Sequence, residues 1–291
     1  MRSRAEAAGV AGPVATRPGP VVLLRGVSKV FETPGRAATR VEALAGFDLE
    51  VAPGELVSII GPSGCGKSTL LRIVADLEPA TSGTVAVNGK PAPRARADRA
   101  LGMVFQAPVL FDWRTIRGNV ELPLEIAGRP AAERATRATE LLAIVELEAF
   151  ADHRPPQLSG GMAQRVAIAR ALALGPSVLL MDEPFGALDE MTRERMNLEL
   201  LRIRDRTATT ILFVTHSIPE AVFLSTRVVV MSPRPGRVAA IVPVDLPGAR
   251  TAETRELPRY FELVTEVREA LRAADPGWRD GQRPPAISPA R

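Results

Sequence analysis

The sequence has little cysteine, no long apolar run and no concentrated charge of either sign. A single cysteine, Cys65, excludes an internal disulfide and fits a reducing compartment, with the cytoplasm as default. Apolar residues come in short pieces broken by charge, proline or glycine. None approaches the roughly 18 to 20 consecutive apolar residues that a membrane span needs, so the chain is not expected to cross a bilayer itself. The first twenty residues carry Arg2, Arg4 and Arg17 without a signal-peptide core and read as a disordered leader. Lys plus Arg exceeds Asp plus Glu by 37 to 33, but the excess is scattered, which argues against nucleic acid as a partner.

What is present suffices for a core. At 291 residues and 46% hydrophobic content the chain holds one large domain or two small ones. Residues 1–19 and 274–291 are rich in Ala, Gly, Pro and Arg or in proline, and read as disordered, leaving 20–273 as the folded part. Phe47, Leu49 and Val51 alternate with Asp48 and Glu50, and Thr84 to Val87 ends in the turn pair Asn88-Gly89, so an antiparallel sheet is predicted near the front. The continuous apolar runs 56–60, 178–181 and 211–214 suit strands buried on both faces of a parallel sheet, which makes the core α/β. Between the first two lies a predicted helical insertion, about 107–165, with Leu141, Leu142 and Val145 at helical spacing. Further helices are predicted over about 190–206 and 257–272. There is no internal repeat.

After the run 56–60 comes Gly61-Pro62-Ser63-Gly64-Cys65-Gly66-Lys67-Ser68-Thr69, followed by a helix with Leu70, Ile73, Val74 and Leu77 on one side. Strand, glycine loop and helix in this order are the setting of a P-loop, whose backbone amides and helix N-terminus cradle phosphates. Lys67 is expected on the β and γ phosphates and Ser68 on Mg²⁺, and the signal is specific for a nucleoside triphosphate. Cys65 needs no redox role, since a small side chain suits a tight loop. The run 178–181 leads directly into Asp182-Glu183, two carboxylates at the ligand-binding edge of a parallel sheet. Asp182 is placed to hold Mg²⁺ directly or through water, and Glu183 to orient and deprotonate an attacking water.

Leu158-Ser159-Gly160-Gly161-Met162-Ala163-Gln164-Arg165 resembles the signature sequence of the ABC ATPase family; read without that likeness, Ser159 is a helix N-cap. The resemblance covers nearly all of 20–273. It implies a P-loop NTPase fold with a RecA-like parallel-sheet core, an N-terminal antiparallel β subdomain and an inserted α-helical subdomain. It also implies that Ser159, Gly160 and Gly161 bind the γ-phosphate held by a second subunit's P-loop, so that ATP joins two copies. On the same resemblance Gln106 is the glutamine that senses Mg²⁺ and links core to helical insertion, and Asp189 in Ala187-Leu188-Asp189 communicates across the dimer. His216 is the switch histidine that contacts the γ-phosphate and positions Glu183; the other histidine, His153, is read as unremarkable. Phe31 resembles the aromatic that stacks on adenine, though an apolar strand residue reads equally from the sequence. Lys67, Glu183 and His216 form the expected catalytic set, with ATP and Mg²⁺ as cofactors.

Residues 109–115, 182–189 and Arg234-Pro235-Gly236-Arg237 resemble the nitrate, sulfonate and taurine importers of that family. Such a system implies two ATPase subunits on the cytoplasmic face of the membrane, two membrane permease subunits, and an extracytoplasmic solute-binding protein that the ATPase does not touch. Phe111 and Trp113 read either as part of a groove for a permease helix or as local core of the helical insertion. The chain departs from the family pattern at Asp76, where glycine is usual, at Ser217-Ile218-Pro219, and over 33–40, a lengthened hairpin. A non-transport ABC ATPase of DNA repair or translation is the alternative, but heptads and a second ATPase domain are lacking. A P-loop GTPase lacks its Asn-Lys-x-Asp signal here.

Overall fold

The computed structural model describes residues 19–33, 39–246, 249–275 and 277. The expected disordered leader 1–19 and tail 274–291, and the centre of the expected hairpin at 33–40, lie almost wholly outside them. In chain order the elements are β1 (Val22–Thr33), β2 (Thr39–Val51), β3 (Leu56–Ile60), α1 (Lys67–Val74), β4 (Ser82–Val87), β5 (Lys90–Pro91), α2 (Ala92–Ala97) and β6 (Leu101–Val104). Then follow α3 (Ile116–Ile126), α4 (Ala131–Ile144), α5 (Gly160–Leu172), β7 (Val178–Asp182), α6 (Glu190–Thr207), β8 (Thr210–Val214), α7 (Ile218–Leu224), β9 (Arg227–Met231), β10 (Val238–Pro243) and α8 (Pro258–Ala274).

Two sheets organise the molecule. A four-stranded sheet, β2-β1-β4-β5, is antiparallel throughout. The six-stranded sheet runs β10-β9-β3-β8-β7-β6, parallel from β9 to β6 with β10 as an antiparallel edge. Side chains alternate across a strand, so the apolar runs of the central strands divide between two cores. Leu56 and Ile60 of β3, Leu179 and Met181 of β7, and Ile211 and Phe213 of β8 face the core shared with α3 to α8. Val57, Ile59, Val178, Leu180, Leu212 and Val214 face the second core, closed by α1 and the antiparallel sheet.

Three strands of the large sheet, β6, β9 and β10, and two short helices, α2 and α7, fall where no element was predicted. Strand β9 is Arg-Val-Val-Val-Met with four of five residues buried, too short a run to tell strand from helix by period. Strand β10 holds two alanines and, although its exposure alternates, only one buried residue. Helix α7 begins at Ser217, whose hydroxyl accepts from the Glu220 amide at 3.4 Å, with Pro219 in the first turn. The departure Ser217-Ile218-Pro219 is thus an N-cap followed by a proline where its missing N–H costs nothing.

Between β6 and β7 the described residues form helices and loops without a strand. Buried Asn119 of α3 ties the loop before it: its side-chain oxygen accepts from the Phe111 amide at 2.8 Å and its nitrogen donates to the Phe111 carbonyl at 3.1 Å. Trp113, packed on Phe111 with ring centroids 4.8 Å apart, is 70% exposed and therefore not part of the insertion's core.

Candidate active site

The loop Gly61–Thr69 connects β3 to α1, and its glycines are needed where the backbone leaves ordinary space. Gly66, the N-cap of α1, sits at φ +105° with the Ala43 carbonyl oxygen 2.9 Å from where a Cβ would stand. Lys67 opens α1, is almost fully buried, and its Nζ donates to the carbonyls of Gly61 (2.8 Å) and Pro62 (3.1 Å). Its remaining contact is the Cys65 Sγ at 4.0 Å, and a buried ammonium held by neutral partners is a strong attractor for an anion. Cys65 is buried beneath the loop, and burial pushes its thiol pKa up despite the neighbouring Lys67, which leaves it a packing residue.

A cavity of about 400 Å³ opens over this loop, lined by Phe31, Val41, Ala43, Ser63, Gly64, Gly66, Lys67, Ser68, Thr69, Glu183 and Arg234. Larger cavities lie elsewhere, one of about 600 Å³ between α6 and the segment after β10, one of about 530 Å³ beside α4 and one of about 470 Å³ between β6, α3 and α5. None of the three is lined by a residue of the loop, so chemistry rather than size picks out the site. Phe31 lines the cavity while 40% exposed, with Lys29 Nζ 4.8 Å from its ring centroid.

The acidic pair leaves the sheet beside the loop. Asp182 ends β7, and its Oδ1 accepts a hydrogen bond from Ser68 Oγ at 2.9 Å. Burial raises its pKa, Ser68 opposes that, and the Glu183 charge adds to it. Two adjoining hard oxygen donors suit Mg²⁺, which usually keeps waters and substrate phosphates among its ligands. Among the described residues no group of three or more His, Cys, Asp or Glu forms a cage for a metal ion. Glu183 stands at φ +47°, a conformation that costs a non-glycine residue about 1 kcal/mol or more, and its amide donates to Val214 O at 2.9 Å. Its Oε2 lies 3.3 Å from Nδ1 of His216, which follows β8. Gly186 lies among Gln106, Glu183 and His216: a Cβ there would stand 3.3 Å from Gln106 Nε2 and 3.6 Å from His216 Cε1.

The signature residues are elsewhere. Ser159 caps α5, its Oγ accepting from the Met162 amide at 3.3 Å, and Gly160 and Gly161 form the first turn. Gly161 packs against α6, where a Cβ would come within 3.0 Å of Thr192, and Asp189 caps α6 by accepting from the Thr192 amide at 3.0 Å. Thr192, through its side chain first and its amide second, holds the Asp189 carboxyl below its usual range. None of Ser159, Gly160, Gly161 or Asp189 lines the phosphate-loop cavity.

Three side chains escaped the sequence reading. Buried Gln164 of α5 donates to the Phe105 carbonyl at 3.1 Å, and Arg170 donates to those of Val109 (2.7 Å) and Pro108 (2.8 Å). Both flanks of Gln106 are therefore tied to the signature helix. Gln164 belongs to the signature residues 158–165 and Arg170 lies further along the same helix, but the sequence does not tell which way they point. The third, Arg234, was noted only as part of a subfamily motif.

Fold and site together define a P-loop nucleoside triphosphatase. The sequence matches the family model described as ABC transporter over residues 44–186. It is 46% identical over 245 residues to the taurine import ATP-binding protein TauB of Rhizobium johnstonii, covering 82% of this chain and 93% of that one. It is also 46% identical over 241 residues to the nitrate import ATP-binding protein NrtD of Synechocystis sp., covering 81% and 90%. The dimeric post-hydrolysis state of the ATP-binding cassette MJ0796, bound to ADP and Pi, matches with a TM-score of 0.66 at 38% identity over 77% of this chain and 98% of that one. The chain belongs to the ABC transporter family, as an ATP-binding subunit with ATPase chemistry. These relatives do not favour the non-transport alternative.

Proposed function

We propose that this chain powers an importer for nitrate, taurine, a sulfonate or a related small solute, working as a homodimer on the cytoplasmic face of the membrane. The observation that carries the reading is the separation of the two half-sites. Lys67, Ser68, Asp182, Glu183 and His216 gather at one cavity, whereas Ser159, Gly160, Gly161 and Asp189 lie outside it. One chain then owns two incomplete sites, and a second copy completes both.

In the bound state Lys67 and the loop amides, with Gly61 to Thr69, hold the β and γ phosphates, and Phe31 lies against the base. Ser68, Asp182 and Gln106 hold Mg²⁺, which supplies charge neutralisation on the phosphates. Glu183 orients a water in line with the γ-phosphate and takes its proton, while His216 holds the carboxylate in place. The partner's signature turn presents a small-residue helix N-terminus to the same phosphate. ATP stabilises the closed dimer because it contacts both subunits, and hydrolysis removes that stabilisation.

No described helix is long and apolar enough to cross a membrane, so transport needs membrane subunits. Phe105, Val109, Trp113 and Ile126 are 41 to 79% exposed beside the loop that follows Gln106. This apolar surface supports docking of a permease helix, with the solute-binding protein acting outside. The test is light scattering of Glu183→Gln with and without MgATP. A shift from monomer to dimer on MgATP is expected; an ATP-bound monomer at every protein concentration would overturn the split-site reading.

A further inference from the structure

We propose that Arg234 is a nucleotide-binding residue whose guanidinium makes a charged contact with the phosphates of ATP and ADP, an inference that rests on nucleotide occupying the phosphate-loop cavity. Arg234 lies in the turn between β9 and β10, far from every sequence motif of the site, yet it lines the same cavity as Lys67 and Phe31. Its Nε donates to the Gly64 carbonyl at 3.2 Å, and its Nη2 lies 3.1 Å from where a Cβ of Gly64 would stand. Its two terminal nitrogens make no hydrogen bond to any described residue, and no described carboxylate pairs with it. An exposed guanidinium beside a phosphate loop, already oriented through one nitrogen and with a fork of donors free, matches the geometry of a phosphate oxygen pair.

The turn that carries Arg234 is built to hold it there. Ser232 closes it on itself: its amide donates to the Arg237 carbonyl at 3.0 Å, its hydroxyl donates to the Pro235 carbonyl at 3.1 Å, and it accepts from the Arg237 amide at 3.1 Å. The Gly236 amide donates to Ala43 O at 2.9 Å and its carbonyl accepts from the Ala45 amide at 3.1 Å, which seats the turn on β2. Gly236 itself has no room for a side chain, because a Cβ would collide with the Cys65 carbonyl and stand 2.7 Å from Met231 Cε. The guanidinium is thus fixed relative to the phosphate loop before ligand arrives, which lowers the entropy lost on binding.

The experiment titrates ATP and ADP, each with Mg²⁺, into the full chain and into Arg234→Gln and Arg234→Lys at several KCl concentrations. Glutamine keeps a donor for the Gly64 carbonyl but no charge, so it separates charge from loop support. Affinity of Arg234→Gln for both nucleotides is expected to fall about tenfold, the scale of one charge-assisted hydrogen bond, and that of Arg234→Lys by less. The parent's affinity is expected to fall more steeply with KCl than that of Arg234→Gln. Unchanged affinity in Arg234→Gln, or equal salt slopes, would overturn the assignment while leaving the nucleotide site intact. If the parent bound neither nucleotide, the nucleotide reading itself would fall, and this one with it.

Discussion

His216 Nδ1 lies 3.3 Å from Glu183 Oε2, and the contact joins the ends of two neighbouring parallel strands, β7 and β8. Glu183 is held in left-handed backbone by the Val214 carbonyl on the same neighbouring strand, so both partners are fixed by the sheet rather than by a free loop.

If the two act as a unit, their losses should not multiply. Glu183→Gln is expected to lower kcat by about 10² to 10⁴, the usual worth of a general base, and His216→Ala by a similar order. The double variant should be no more than a few-fold slower than Glu183→Gln alone. Phosphate release under saturating MgATP measures this, and a product of the two single losses would mean independent roles.

Gly236 offers a test of how the β9–β10 turn supports the phosphate loop. A Cβ at this position meets the Cys65 carbonyl, backbone that cannot swing away. Gly236→Ala is therefore expected to cost about 1 to 3 kcal/mol in urea unfolding, the range of overpacked interiors, and to weaken ATP binding by displacing Cys65 and Gly64. Parent-like stability together with parent-like affinity would mean that the turn is free to move off the loop.

Much of this site could be read from the sequence because its chemistry is carried by contiguous motifs. Gly61 to Thr69 and Asp182-Glu183 each follow an apolar strand, and strand ends in a parallel sheet collect at one edge. What could not be read are contacts that depend on tertiary approach: Gln164 to Phe105, Arg170 to the loop after Gln106, and Arg234 to Gly64. Nothing in the period or spacing of Arg234 says that its turn folds back over a loop 170 residues earlier. The overlooked strands β9 and β10 have the same cause, since their positions are set by pairing with β3 and with each other.

Asp76 stands where the family resemblance leads to the expectation of glycine, and its surroundings account for it. It stands at φ +56° just beyond α1, where the Asp76 amide donates to Ile73 O at 3.1 Å and the Leu77 amide to Arg72 O at 2.9 Å, a Schellman ending. Aspartate tolerates left-handed backbone better than most residues, and Arg96 Nε sits 2.8 Å from its Oδ2. Asp76→Gly should stay within about 1 kcal/mol of the parent, trading the ion pair for backbone ease. Asp76→Ala loses the pair without that relief and is expected to cost about 1 to 2 kcal/mol by chemical denaturation. Equal losses in the two variants would mean that the ion pair, not the backbone, decides the position.

Near His216 lies a buried carboxylate. Glu220 of α7 accepts from Thr215 Oγ1, and the Asn197 amide, oriented to satisfy both neighbours, donates to Glu220 Oε1 at 3.1 Å while accepting from Arg255 Nη2 at 3.1 Å. Burial raises its pKa above the ordinary 4.5, with the Thr215 hydrogen bond and the charges of Arg193, His216 and Arg255 opposing. The native state therefore keeps this proton to higher pH than the unfolded chain does. As pH rises above about 4.5 the unfolded state gives up the proton first, so the group's contribution to stability is greatest in acid and declines until the native carboxyl also ionises. Glu220→Gln cannot ionise and lacks that decline. The difference in urea midpoint, Glu220→Gln minus parent, is expected to grow more positive as pH is raised from about 4.5 toward neutrality. A difference that shrinks over the same window would mean that Arg193, Arg255 and His216 outweigh burial, and that Glu220 serves the network as a carboxylate.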